Sequence, residues 1–208
     1  MDGTLVDTEP YWMEEELALA ERYGGTWTHD QALQVVGFDL LVAARLMRTQ
    51  MGIDLAPERM VEELLDGVIA RVQRAVPWRA GARELLASLR TVDVPCALVT
   101  MSYARFVEPI VAALPSGTFD VVITGDAVDR GKPHPEPYLA AARALDVRAG
   151  DCLAIEDSTT GATSASAAGC VVLVAPLHVT VPAGERRLFV DSLEGLDAGS
   201  VLGGLAVG

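Results

Sequence analysis

Residues that could carry out phosphoryl transfer stand at four separate places in the sequence. They are Asp2, Thr100, Lys132 and the adjacent pair Glu156 and Asp157. Carboxylate oxygens are the ligands that Mg²⁺ prefers, so the pair is a candidate metal site. An ammonium group can neutralise phosphoryl oxygens, and a threonine hydroxyl can donate hydrogen bonds to them. An aspartate on a turn can move a proton, which makes Asp2 a candidate acid and base.

Two of these places have neighbours that strengthen the prediction. Lys132 is the single lysine among the 16 basic residues and stands between a glycine and a proline. These neighbours are expected to hold its loop in a fixed path. Met101 and Ser102 follow Thr100 directly, so the backbone N–H groups and the second hydroxyl of this segment are further candidates for phosphate binding.

The elements that must position these residues alternate between strand and helix after residue 77. The strand-like runs are Val94–Thr100, Phe119–Thr124, Cys152–Glu156 and Cys170–Ala175. The helical stretches between them are Ala80–Leu89, Ala104–Leu114, Pro135–Leu145 and Thr160–Ala168. This alternation predicts an α/β fold with a parallel sheet covered on both faces. In such sheets the ligand binds beyond the carboxyl ends of the strands, where the candidate residues stand.

Residues 11–77 have a different pattern, with no strand-like run between helical stretches. The helical stretches are Tyr11–Tyr23, Leu40–Met51 and Pro57–Val76. Their apolar residues recur at helical spacing, and Pro57 stands at a plausible helix start. A second, helical domain is therefore expected ahead of the α/β domain.

The composition excludes several partners. The chain of 208 residues has a formal net charge of -13 and a sequence pI near 4.5, so a nucleic-acid backbone would be repelled. Neither a basic leader nor an apolar stretch of the roughly 20 residues that a membrane span needs is visible in the sequence. We expect a cytoplasmic protein, either a monomer or a weak homodimer, that acts on small molecules.

Four ordered segments resemble the motifs of the haloacid-dehalogenase (HAD) superfamily. They are D-G-T-L-V-D-T-E-P, L-V-T-M-S, G-K-P-H-P-E-P-Y and I-E-D-S. The closest resemblance is to the branch with phosphoglycolate phosphatases and β-phosphoglucomutases. It implies a Rossmann-like core from residues 1–10 and 78–208, an inserted helical cap from residues 11–77, and a Mg²⁺ cofactor.

The resemblance also implies a role for each matching residue. Asp2 matches the second aspartate of an Asp-x-Asp-Gly-Thr motif, which acts as acid and base and binds Mg²⁺ through its carbonyl. Thr100 matches the phosphate-binding hydroxyl and Lys132 the charge-neutralising lysine. Asp157 matches the principal metal carboxylate, and Glu156 assists it directly or through water.

The chain departs from the family pattern at its first residue. Met1 falls on the x of the motif, so the nucleophilic aspartate, which would form an aspartyl phosphate, is expected just before Met1. The central strand that precedes this aspartate in the family is expected there as well. We therefore expect the natural chain to start upstream, and the sequence as written to show no turnover.

A phosphatase that acts on a small phosphorylated metabolite is the leading interpretation. A phosphomutase is the second, although residues 11–77 contain no lysine and the turn at Gly37–Leu40 lacks the arginine of β-phosphoglucomutases. Gly37 stands where the family cap presents a substrate loop and is a candidate for substrate binding. A catalytically inactive protein that binds a phospho-ligand would follow if the chain truly starts at Met1. Dehalogenase and phosphonatase chemistries fit the motifs less well.

Overall fold

The computed structural model describes residues 1–35, 38 and 40–205. The chain divides into two compact units, one from Met1–Asp7 with Pro77–Gly208 and the other from Thr8–Val76. We call the first the α/β unit and the second the helical unit. The α/β unit is built from two stretches of chain, whereas the helical unit is continuous.

The described residues of the helical unit form four helices. These are α1 (Glu9–Arg22), α2 (His29–Val35), α3 (Leu40–Met51) and α4 (Pro57–Arg74). Their apolar faces pack into one core around Leu19, Ala44, Met47 and Met60. The three helices expected from periodicity are present, but α2 has only seven residues and was not predicted. Two helical turns give too few apolar positions for a recognisable period.

The α/β unit alternates strands and helices as the sequence predicts. In order these are α5 (Ala82–Thr91), β1 (Ala97–Val99), α6 (Ala104–Ala112), β2 (Val121–Ile123), α7 (Glu136–Ala144), β3 (Leu153–Glu156), α8 (Thr159–Ala168), β4 (Val171–Val174), β5 (Arg187–Phe189) and α9 (Ala198–Leu205). Helix α9 was not expected, because the tail is rich in glycine. Within the described parts of the chain, no helix combines the length and the apolar character needed to cross a membrane.

The strand pairs of the α/β unit are all parallel, which confirms the predicted α/β class. Strand β1 pairs with β2, and β3, β4 and β5 pair in that order. The described strands thus form two separate ladders, and β1 and β3 belong to different ladders. The alternation of strands and helices in the sequence suggests a single sheet instead. An apolar cavity of about 600 Å³ is lined by residues of β1 and β3, by residues of α5, α7 and α9, and by Met1.

Candidate active site

The N-terminal residues form a tight turn that is held by its own backbone. The carbonyl of Met1 accepts hydrogen bonds from the N–H groups of Leu5 at 2.7 Å and Val6 at 3.2 Å. Gly3 has a φ of 76°, in the left-handed region that favours glycine. A Cβ atom on Gly3 would lie 2.1 Å from Oδ2 of Asp157. The turn therefore contacts this carboxylate so closely that no side chain fits at Gly3.

Asp157 is fixed by the same turn. The hydroxyl of Thr4 donates to Oδ1 of Asp157 at 2.7 Å. Burial raises the pKa of the Asp157 carboxyl above its ordinary value, and the Thr4 hydrogen bond opposes that shift. A half-buried carboxylate with one oxygen held by a hydroxyl is well placed to gain from a nearby cation.

The α-amino group of Met1 lies where the predicted site residues meet. It is buried, and burial lowers its pKa, with the charge of Lys132 adding to the decrease. Glu156, Asp157 and Asp2 are near enough for their charges to oppose this decrease. The pKa of this amino group therefore responds to charges from three separate parts of the sequence.

Lys132 is buried and makes three contacts through its ammonium group. Nζ donates to Oε1 of Glu156 at 2.6 Å, to the carbonyl of Val99 at 3.1 Å and to the hydroxyl of Tyr138 at 3.4 Å. It also lies 5.0 Å from the centre of the Tyr138 ring, within the range of a cation–π interaction. The side chain thus links the end of β1 to the end of β3.

Glu156 is neutralised mainly by its neighbours in the protein. Burial by itself would raise the pKa of its carboxyl, but the charge of Lys132 and the hydrogen bonds from Lys132 and Tyr138 hold that pKa below its ordinary value. On the other side, a Cβ atom on Gly161 would lie 1.9 Å from Oε2 of Glu156. The geometry makes Glu156 the partner that holds Lys132 in place. Its assignment as a metal ligand stays a prediction.

The segment that follows β1 lies against the Lys132 loop. Thr100 is buried, and its Oγ1 accepts a hydrogen bond from the N–H of Ser102 at 3.1 Å. The N–H of Lys132 points at Sδ of Met101 at a distance of 3.1 Å. The structure therefore brings Thr100, Met101 and Ser102 beside Lys132. Gly37, the remaining predicted binding residue, lies outside the described residues.

Three residues with structural roles at the site were missed by sequence reasoning. Tyr138 and Thr4 stand inside the recognised motifs, and their hydroxyl groups were a signal that could have identified them. Arg79 gave no such signal. Its Nη1 donates to the carbonyl of Ala175, just after β4, at 3.0 Å and also to the carbonyl of Gly3. Arg79 thereby ties the N-terminal turn to the carboxyl end of the sheet.

The donors at the site suit a hard cation that needs few protein ligands. Among the residues that the structure describes, no three His, Cys, Asp or Glu side chains are grouped so that they could hold a metal ion. Mg²⁺ usually keeps several waters and takes only one or two carboxylates with the substrate phosphate. The half-buried carboxylate of Asp157 fits that demand. The carbonyl of Asp2 as a second ligand stays a prediction. The oxygen chemistry excludes the thiolate and imidazole sets typical of zinc.

Comparison with known proteins identifies the class to which this fold and site belong. A family description, haloacid dehalogenase-like hydrolase, matches residues 1–175, which is most of the chain. The chain therefore belongs to the haloacid dehalogenase-like hydrolases, and the predicted membership is confirmed.

Individual relatives agree with this assignment. Hexitol phosphatase A of Escherichia coli is 32% identical over 199 residues, covering 90% of this chain and 84% of that protein. The bifunctional riboflavin kinase/FMN phosphatase of Arabidopsis thaliana is 28% identical over 85% of this chain, which spans only 47% of the plant protein. The crystal structure of CbbY from Rhodobacter sphaeroides in complex with phosphate superposes with a TM-score of 0.83 at 24% identity, covering 99% of this chain and 96% of that one.

Proposed function

We propose that this chain is a Mg²⁺-dependent phosphatase that hydrolyses a small phosphorylated metabolite. The observation that carries the proposal is that Lys132 donates to Glu156 at 2.6 Å, while Thr4, on the turn that contains Asp2, donates to the adjacent Asp157 at 2.7 Å. A lysine, a buried carboxylate and a second carboxylate on a turn are the groups that phosphate binding, cation binding and proton transfer each require. The α/β unit is the proposed core and the helical unit the proposed cap.

Each residue has a separate task in the proposed reaction. Lys132 neutralises phosphoryl oxygens, while the hydroxyls of Thr100 and Ser102 and the backbone N–H of Met101 donate hydrogen bonds to them. Asp157 and the carbonyl of Asp2 would hold Mg²⁺, and the bound cation would offset the negative charge of the phosphoryl group.

Proton transfer and covalent catalysis complete the proposed reaction. The Asp2 carboxyl gives a proton to the leaving oxygen and later takes one from the attacking water. The phosphoryl group is carried between these steps as an aspartyl phosphate. The family resemblance assigns the nucleophile to an aspartate joined to the amino side of Met1.

The substrate class rests on the relatives and on the charge of the chain. Hexitol phosphatase A and the FMN phosphatase are named for small phosphorylated molecules. Phosphatase is favoured over mutase because a mutase must bind a second phosphate, and the turn at Gly37–Leu40 lacks the arginine of β-phosphoglucomutases. With a net charge of -13, attraction of an anionic substrate depends on Lys132 and the bound cation.

The test is hydrolysis of a phosphometabolite panel by the chain with an aspartate-ended extension ahead of Met1. Activity should require Mg²⁺, and Asp157→Asn should lower it by at least about 100-fold, because both cation binding and charge neutralisation are weakened. Asp151→Asn is the matched control, since this aspartate pairs with exposed Arg148 instead. Full activity in excess chelator would contradict the proposal.

A further inference from the structure

The ladder formed by β3 and β4 continues past the amino end of each strand. Leu153 pairs with Val171, and the N–H of Val171 donates to the carbonyl of Cys152 at 3.0 Å. The residue before each strand is a cysteine, so the register places Cys152 opposite Cys170. Two of the three cysteines of the chain are therefore lateral neighbours on adjacent parallel strands.

Both thiols lie on the same face of this ladder. Successive side chains of a strand alternate between faces, so Cys152 shares a face with Ala154. For the same reason Cys170 shares a face with Val172. Cys170, Ala154 and Val172 are buried members of one apolar cluster, and helix α8 contributes Ala162 to it. Cys152 is partly buried and packs against the same cluster, so both thiols lie in one layer between the ladder and the helix.

The spacing of the two backbones is within the range of a disulfide. Neighbouring strands of a sheet lie about 4.8 Å apart. The Cα atoms of a disulfide are usually separated by roughly 4.4–6.8 Å. Cysteines that are lateral neighbours on one face therefore meet this distance requirement with little movement of the backbone.

The electrostatic surroundings of the thiols also couple them. Burial raises the pKa of Cys170 to about 11, and the charge of Cys152 adds to the increase, while the guanidinium of Arg186 opposes it. Nη1 of Arg186 donates to the carbonyl of Gly169 at 2.9 Å, and Nη2 donates to the carbonyl of Gly150 at 3.0 Å. Arg186 thus ties together the two segments that lead into the cysteines and places a cation beside them.

We propose that Cys152 and Cys170 form a dithiol site that small-molecule disulfides oxidise reversibly to a cross-strand disulfide. Cys152 is partly exposed and Cys170 is buried, so the thiolate of Cys152 attacks the small-molecule disulfide first. This attack forms a mixed disulfide and releases one thiolate of the reagent. The thiolate of Cys170 then attacks the sulfur of Cys152, which forms the protein disulfide and releases the second thiolate. The two protein thiols lose two electrons and two protons, and the reagent takes up both and becomes two thiols.

The disulfide closes a loop that contains the carboxylates of the candidate site. Glu156, Asp157 and helix α8 all lie between the two cysteines in the sequence. A cross-link between the ends of a loop restricts the unfolded chain, so oxidation should stabilise the folded state. The inference does not depend on the proposed function, since the register and the burial of the cysteines are the same in a chain without turnover.

The experiment treats the folded chain with oxidised glutathione and counts free thiols after denaturation without reductant. The count should fall from three to one, and peptide mass mapping should find Cys152 joined to Cys170. Dithiothreitol should restore all three thiols. Cys96→Ser is the matched control, because Cys96 precedes β1 in the other ladder. In this variant the two remaining thiols should both be lost, and its oxidised form should unfold about 5 °C above its reduced form.

A second variant isolates the first step of the oxidation. In Cys170→Ala no thiol is left to displace the reagent, so a glutathione adduct on Cys152 should accumulate. Three free thiols after treatment, a lasting glutathione adduct in the unsubstituted chain, or a disulfide that includes Cys96 would each overturn the inference. So would a Tm that fails to rise in oxidised Cys96→Ser, since a cross-link that fits the native ladder restricts only the unfolded chain.

Discussion

Each unit of the molecule contains a buried glutamate, and the two carboxyl pKa values shift in opposite directions. In the helical unit, burial raises the pKa of Glu16 to about 7, against one hydrogen bond from Nε1 of Trp27 at 2.9 Å. In the α/β unit, Glu156 is as deeply buried, yet Lys132 and Tyr138 hold its pKa below the ordinary value. Burial alone therefore does not decide the charge of a carboxyl group. The presence of a cation within hydrogen-bonding distance does.

Removing the cation beside Glu156 should have the largest effect on this difference between the two glutamates. Lys132→Met should cost about 3–5 kcal/mol of the free energy of unfolding, because a buried carboxylate loses its partner. Activity of an extended, active form should fall by orders of magnitude as well. The measurements are thermal unfolding and hydrolysis of an aryl phosphate.

A double variant separates the two effects of that substitution. Lys132→Met combined with Glu156→Gln should recover part of the stability, since no buried charge remains unpaired, but none of the activity. If Lys132→Met is as stable as the unsubstituted chain, Lys132 does not compensate the charge of Glu156.

A pH series sharpens the comparison on the side of Glu16. Because its folded-state pKa of about 7 lies above the value of 4.5 for a free carboxyl, the folded state binds more protons between these pH values. The free energy of unfolding should therefore fall as pH rises from 4.5 to 7, by at most about 3 kcal/mol from this group. Glu16→Gln, which keeps an acceptor for Trp27, should remove that contribution. The midpoints of urea unfolding at pH 5 and pH 8 measure this contribution. If the midpoint changes equally with pH in both proteins, the prediction is contradicted.

The smallest effect is expected where a carboxylate is paired but not buried. Asp54 accepts a hydrogen bond from Arg48 at 2.9 Å, and its side chain is 98% exposed. Water screens such pairs, so Asp54→Asn should leave the Tm within about 1 °C of the starting value. A larger decrease, measured by calorimetry, would mean that pairing stabilises a carboxylate in this chain even without burial.

Glu16 and Glu156 also show what could and could not be predicted from the sequence. The approach of Glu156 to Lys132 follows from a general rule, since residues after parallel strands meet at one edge of the sheet. Glu16 belongs to a helical stretch rich in glutamate, which is typical of a solvated face. Its burial depends on how the helices pack around Trp27, and no local pattern records that packing.

Other elements set further limits on prediction from sequence. The run Val94–Thr100 predicts a seven-residue strand, but the strand has only the three residues Ala97–Val99, because a strand needs a neighbour to pair with as well as propensity. The contacts of Arg79 with the carbonyls of Gly3 and Ala175 join positions far apart in sequence. The sequence alone does not distinguish such an arginine from one on the protein surface. The parallel α/β class was predictable because it depends on alternation over many residues.

The division of the α/β unit into two stretches of chain has a consequence for synthesis. The helical unit, Thr8–Val76, is continuous, so it can fold as soon as its last helix has left the ribosome. The turn at Met1–Asp7, which emerges before the helical unit, must wait until strands β3 and β4 are made before it can contact Asp157 or be tied by Arg79 to Ala175. Bringing the turn to Asp157 closes a long loop of chain, and the entropic cost of this closure rises only slowly with loop length. The cost is lower when the intervening helices are already folded. A turn that is translated before the helical unit is thus among the last segments to reach its final position.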